Sequence, residues 1–311
     1  LLGDAVRVLS RLLRRAKAMM ADGAGLSPAV FRSRTRSVRR LAQQLHRLAR
    51  RKGEAAAEEL RAAYRQLIGI AAASRAQAAR VRQALAGRAA PAARRLVEQF
   101  DHFLPLVEQA IRQAARRVLR GEAVPATEKL LSLFEPHTQI IVRHKPGKPV
   151  EFGRKLWLEE VDGGIVSGAA IVPHAGGQDQ PYLAASLAGH RARFGRPPWL
   201  LAGDRGVASP KNEALAEQAG VRRVVLPQAG RPSPARAQRE RQRWFRRGCR
   251  FRAGIEGRIH VLRRDFGLDR CPDHGEAGMG RWVGWGILAH NLARIAHTLA
   301  HRAAKHPTRA A

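Results

Sequence analysis

The sequence predicts an α/β protein in two parts, a large all-helical region followed by a mixed β-sheet with flanking helices. Three observations predict it. Residues 1 to about 130 are dominated by Ala, Leu, Arg, Gln and Glu, which are strong helix formers. Apolar residues in that stretch recur at helical spacing. From Gln139 onward Gly, Pro and β-branched residues increase, and short apolar runs alternate with helical patterns, as in a sheet with helices on its faces. The expected organisation is a basic helical domain over residues 1–128, an α/β domain over 129–302 and a frayed tail over 303–311.

In the first part, Val6, Leu9, Leu12 and Leu13 form one apolar stripe, with Arg7, Arg11, Arg14 and Arg15 around it. Leu41, Leu45 and Leu48 form a second, beside Arg39, Arg40, Arg47, Arg50 and Arg51. Ser27-Pro28 reads as a helix start, because proline's fixed φ suits the first helical position. Further helices are predicted near 54–70, 74–87 and 91–119, giving an antiparallel bundle with basic outer faces.

In the second part, strands are predicted over Phe152–Glu159 and Gly164–Val172, with the hairpin signal Asp162-Gly163-Gly164 between them. Gly176-Gly177 reads as another turn, and a helix follows around Gln180 to Arg193. Trp199 to Ala202 is a short buried strand. Ser209-Pro210 starts a helix that Gly220 closes, and Val221 to Leu226 is the next strand. Residues 228–240 read as a mobile basic loop. A helix runs from about Arg241 or Cys249 to Arg264, and a last one covers Val283 to Arg302.

The charge narrows the function. The chain has 57 Lys and Arg against 25 Asp and Glu, a formal net charge of +32. Such an excess points to a polyanionic partner, most often nucleic acid. Arginine's planar fork suits phosphate better than lysine's point charge. Two cysteines, Cys249 and Cys271, give no disulfide framework, so a reducing, cytoplasmic setting is expected. No run is long and apolar enough to span a membrane.

Three features carry chemistry. Asp204 ends a short apolar strand, flanked by Gly203, Arg205 and Gly206, and the ends of strands are where α/β sheets place functional groups. Arg252, Glu256 and Arg263 fall at i, i+4 and i+11, one face of a helix. A carboxylate set between guanidinium groups can meet a metal while its neighbours meet phosphate; the same spacing also suits an ordinary surface ion pair. Residues 231–270 hold thirteen arginines and four acids, with Trp244, Phe245 and Phe251 among them, a composition suited to phosphate contacts and base stacking.

The run Cys249-x2-Arg252-x3-Glu256-x6-Arg263 resembles the signature helix of insertion-sequence DDE transposases, Tyr-x2-Arg-x3-Glu-x6-Lys/Arg, with Cys249 in the tyrosine position. Gly203-Asp204-Arg205-Gly206 resembles that family's second-aspartate motif. Gly153-Arg154-Lys155 looks like the element after its first catalytic strand, and the run from Trp282 to Leu292 like its closing helix. The resemblance covers residues 129–298, with the motifs in the family's order. It implies a ribonuclease H-like fold and two divalent metals, Mg²⁺ or Mn²⁺, held by two aspartates and a glutamate for cleavage and strand transfer at transposon ends. Asp204 and Glu256 would be the second and third acids and metal ligands. Arg205, Arg252, Arg258 and Arg263 are the expected DNA contacts. The first aspartate is expected upstream of residue 1, with the helical part as an insertion after it. Glu135 is a candidate substitute, and Asp4 a weaker one. This chain alone is therefore expected not to perform strand transfer. DNA ends and target are the expected partners, with a homodimer to hold two ends. The alternatives are a non-catalytic DNA-binding remnant, and a basic helical structural or RNA-binding protein.

Other motifs carry less. Cys271-Pro272-Asp273-His274 has one pair of zinc-type ligands and no second pair. His290, His297 and His301 read as a solvated or partly packed helix face. Lys145-Pro146-Gly147-Lys148 is a basic turn. No phosphate-loop sequence is present, so ATP use is not implied.

Overall fold

The computed structural model describes residues 1–20, 28–145, 147–173, 179–228 and 230–305. Ser27 of the predicted helix start, Pro146 of the basic turn, the turn glycines Gly176 and Gly177, and tail residues 306–311 lie outside the described residues. The chain forms two compact units, Leu1–Ile140 and Ile141–Ala311.

The first unit is built on α1 (Leu2–Met19), α2 (Thr35–Leu48), α3 (Glu54–Ala86) and α4 (Pro91–Ala114). α1 packs against the other three and is more deeply enclosed than a single stripe implies. Leu2, Ala5 and Val8 are buried along with Val6, Leu9, Leu12 and Leu13, while Arg7, Arg11, Arg14 and Arg15 stay in solvent. Phe100 and Val107 of α4 fill the core from the opposite side. Buried Gln77 of α3 donates to the Ala29 carbonyl (3.0 Å) and accepts from Arg34, tying the segment before α2 to the bundle. The two helices predicted at 54–70 and 74–87 are one continuous helix. The residues between them, Ala71-Ala72-Ala73, carry nothing that stops a helix, and the isolated Gly69 costs only helix propensity.

The second unit mixes strands and helices. β1 (Gln139–Lys145) pairs with β2 (Lys148–Gly153), β3 (Leu156–Val161) pairs antiparallel with β4 (Ile165–Ile171), and β5 (Leu200–Ala202) pairs parallel with β6 (Arg223–Val225). Between β3 and β4, Gly163 and Gly164 take φ of +84° and +79°, the left-handed region this turn needs. β5 and β6 are joined through α6 (Pro210–Gln218), the helical crossover a parallel pair requires. The class is α/β, but among the described residues the strands form three separate pairs and not the single mixed sheet expected. β3 meets the parallel pair through side chains: Trp157 packs on the cluster of Leu183, Leu187, Val207, Val224 and Leu226, which Leu201 also covers.

The basic segment before the long C-terminal helices is not a loop. Ser233 caps α7 (Pro234–Arg241), accepting from the Arg236 N–H at 3.3 Å. Arg236 is buried and salt-bridged to Glu213 (2.5 Å) and Glu240 (2.8 Å). The cap and the paired cation fix a helix where charge density alone suggested mobility. α8 (Arg243–Asp265) then packs across β5 and β6. Gly248 lies so close to Val225 that a Cβ there would come within 2.5 Å of its Cγ2. α9 (Gly275–Lys305) begins earlier than predicted and packs on β4. No helix among the described residues is long and apolar enough to cross a membrane.

Candidate functional site

β5 delivers Asp204 to the surface. The Gly203 N–H continues the ladder to the Val225 carbonyl (3.0 Å), and a Cβ at 203 would come within 2.7 Å of a terminal methyl of Leu226. Asp204 then turns the chain: its Oδ1 accepts from the N–H groups of Gly206 (2.9 Å) and Val207 (3.1 Å), an Asx-type turn. The residue remains exposed, as does neighbouring Arg205.

A second carboxylate, Asp179, stands beside it, and no motif in the sequence singles it out. A Cβ placed at Gly206 would lie 3.1 Å from Asp179 Oδ2 and 3.3 Å from Asp204 Oδ1, so the two acids share the space beside this glycine. Lys155, the last residue of the Gly153-Arg154-Lys155 motif, forms an ion pair with Asp179. Arg154 turns the other way and ties the end of β4 to the start of α9, donating to the Val172 carbonyl (3.2 Å) and to Glu276 (2.7 Å).

Glu256 sits on α8 with its side chain in solvent, 3.4 Å from Arg252, the i,i+4 pair its spacing allowed. It lines a shallow groove of about 640 Å³ with Ile259, His260, Arg263, Arg264 and Asp269. Arg263 is paired in turn with Asp269, its Nε 3.0 Å from Oδ1. Each predicted carboxylate thus has its own local partners.

Arg258 is not a surface cation. Its guanidinium reaches Glu160 on β3 (3.3 Å), both side chains being mostly enclosed, and approaches His290 Nε2 (3.3 Å). With Arg258 donating to Nε2, the ring N–H lies on Nδ1 and donates to Asn291 Oδ1 (3.1 Å). Asn291 also bonds the N–H (3.0 Å) and carbonyl (2.8 Å) of Val166, so α9 closes the free edge of β4. His290 is therefore a core residue and not part of a solvated face; His297 and His301 do lie in solvent, with stacked rings. Burial lowers the pKa of His290; the Asn291 bond opposes this, and Arg258 and Arg294 add to it.

The aromatic residues of the basic segment divide. Phe245 is core. Trp244 is covered by guanidinium groups, Arg223 at 4.6 Å and Arg239 at 5.9 Å from the ring centre. Phe251 is exposed. Cys249, in the tyrosine position, has its thiol pKa pushed up by burial and by Glu240, with Arg252 opposing.

Among the described residues no three His, Cys, Asp or Glu side chains gather closely enough to hold a metal ion. The donors beside Gly206 are two carboxylates, and one of these is neutralised by Lys155. Glu135 belongs to the first unit, where its N–H meets Ser132 Oγ (3.1 Å) and its carboxylate faces His137 (3.6 Å). Asp4 is ion-paired with Arg7 on the first turn of α1. Comparison with descriptions of protein families, with characterised proteins and with solved structures returned no match.

Proposed function

We propose that this chain is a DNA-acting protein of the DDE transposase kind, with a ribonuclease H-like second half, that engages DNA through the exposed cations of α8 and of the Asp204 turn. The observation that carries the reading is the packing of α8. The helix with the Arg252, Glu256 and Arg263 spacing lies directly on the parallel pair whose first strand leads through Gly203 into Asp204. An antiparallel hairpin followed by a parallel pair with a helical crossover is also compatible with that fold. Asp204 and Glu256 are proposed as the family's second and third acids.

The chain's own residues supply the binding. The pairs Arg252–Glu256 and Arg263–Asp269 leave at least one partner largely in solvent. Such pairs are worth about 0–1 kcal/mol, so a phosphate can displace the carboxylate at little cost. Arg205 stands in solvent beside Asp204. Arg258 is different: removing it would leave Glu160 charged and enclosed, so it is proposed to hold the fold and not the DNA.

Binding of labelled duplex DNA, followed by fluorescence anisotropy, tests the reading. Arg252→Ala and Arg263→Ala are expected to weaken binding alike on unrelated sequences and to reduce the salt slope by about 1 each, as loss of a phosphate contact does. Wild-type affinity in both variants would remove α8 from the interface. Tighter binding to single-stranded or duplex RNA than to DNA would favour the RNA-binding reading instead.

A further inference from the structure

α9 carries an apolar stripe that stands exposed among the described residues. Trp285, Leu288, Leu292, Ile295 and Leu299 are each between 47% and 69% exposed. Their spacing is three, four, three, four, the a and d positions of a heptad repeat. The buried residues of the same helix, Val283 and His290, are seven apart and both occupy position f. At 100° per residue that position lies about 170° round from the middle of the a/d stripe. The helix is therefore docked by one face on β4 and α8 and presents a second, regular seam on the opposite face.

We infer that this seam is a self-association surface, on which α9 of a second copy of the chain packs as a two-stranded coiled coil. Three features of the helix select another copy over other occupants. The first is the 3-4 repeat itself, which fits a helix with the same repeat. The second is charge. The chain carries +32, so most of its surface repels a second copy. Between residues 285 and 299 the only Lys, Arg, Asp or Glu is Arg294, and it turns away to the Gly163 carbonyl (2.8 Å). The flanking e and g positions hold Ala289, Asn291, Ala296 and Thr298, all uncharged. A neutral seam on a strongly basic chain removes the repulsion and offers an acidic partner nothing to pair with. The third is area. Five large side chains exposed to this degree present on the order of 500 Å² per copy, or 1,000 Å² for a pair, the scale at which a specific interface forms. Arg281 and Arg302, at the d positions before and after the stripe, bound the seam. The inference rests on this helix face and is independent of what the protein binds or catalyses.

The test is the mass of the full chain by sedimentation equilibrium, after nucleic acid has been removed in high salt. Two variants add the same charge one residue apart: Leu292→Glu in the seam and Ala293→Glu beside it. Both positions are exposed, and retained helical circular dichroism checks that each variant folds. The expected result is a dimer for the wild type and for Ala293→Glu, and a single chain for Leu292→Glu. A monomeric wild type overturns the proposal, and if that monomer partitions onto anionic vesicles through the seam, the stripe belongs to lipid. Persistence of the dimer in Leu292→Glu, or its equal loss in Ala293→Glu, also overturns it.

Discussion

At the scale of single residues, the second unit depends on close approaches and enclosed charges. Gly248 lets α8 settle on β6, and a methyl group there would meet Val225 at 2.5 Å. Gly248→Ala is expected to cost about 1–3 kcal/mol, the range for overpacking a filled core, measurable by urea denaturation. His290 gives a pH dependence with a definite sign. Its pKa is lowered from 6.5 in the folded chain, chiefly by burial, so the unfolded chain takes up its proton first as pH falls. The stability this histidine contributes is full above pH 6.5 and is lost progressively below it. The denaturation midpoint should therefore fall between neutral pH and pH 5 more steeply in the wild type than in His290→Gln. Equal slopes would show that His290 titrates as it does in the unfolded chain. These features explain much of what sequence reasoning missed. Arg258 and Glu160 are 98 residues apart, and nothing in either neighbourhood announces the pair. The arginine-rich run that contains Arg258 reads the same whether its helix face meets phosphate or a strand. Asp179 escaped notice because its relation to Asp204 exists only once α5 (Tyr182–Phe194) and β5 have folded around Gly206.

At the scale of elements, local rules did better because their causes are local. Ser209-Pro210 predicted the start of α6, and Ser209 does cap it, accepting from the Asn212 N–H at 3.1 Å. The same dipeptide at Ser233-Pro234 starts α7, and reading it by the same rule would have found that helix. Ser209→Ala and Ser233→Ala are each expected to lower stability by about 1 kcal/mol, the usual worth of such a cap. Asn291 does more, since its amide pairs with both the donor and the acceptor of Val166. Asn291→Leu should cost about 1–3 kcal/mol, because it leaves polar backbone groups of β4 unpaired beneath α9. Amide hydrogen exchange at Val166 reads this directly: protection should drop in the variant, and unchanged protection would mean the edge is closed by something else. Sequence patterning splits the long α3 in two because its alanine run carries no periodic signal, although it also carries no break. Strand pairing was the least legible: the hairpin of β3 and β4 follows from Asp162-Gly163-Gly164, whereas whether that hairpin joins β5 and β6 by hydrogen bonds or by side chains depends on contacts distant in sequence.

At the scale of the whole molecule the dominant quantity is charge, and it was readable from composition alone. Much of the arginine is balanced locally. Arg82 is paired with Asp101, Arg116 with Glu122 and Glu128, and Arg236 with Glu213 and Glu240. The 32 cations in excess of the acids have no such partners available, and they are what a polyanion would meet. If DNA is this polyanion, as proposed, the cations bind it through its phosphates and the affinity depends on salt. The proposed DNA binding is therefore tested by measuring duplex-DNA affinity as a function of salt. If six or more phosphates are neutralised, the dissociation constant should rise about a thousandfold or more between roughly 50 and 200 mM salt, linearly on a log–log plot, as bound counterions are released. An affinity that is weak at low salt, or flat across that range, would mean that the excess cations do not bind DNA.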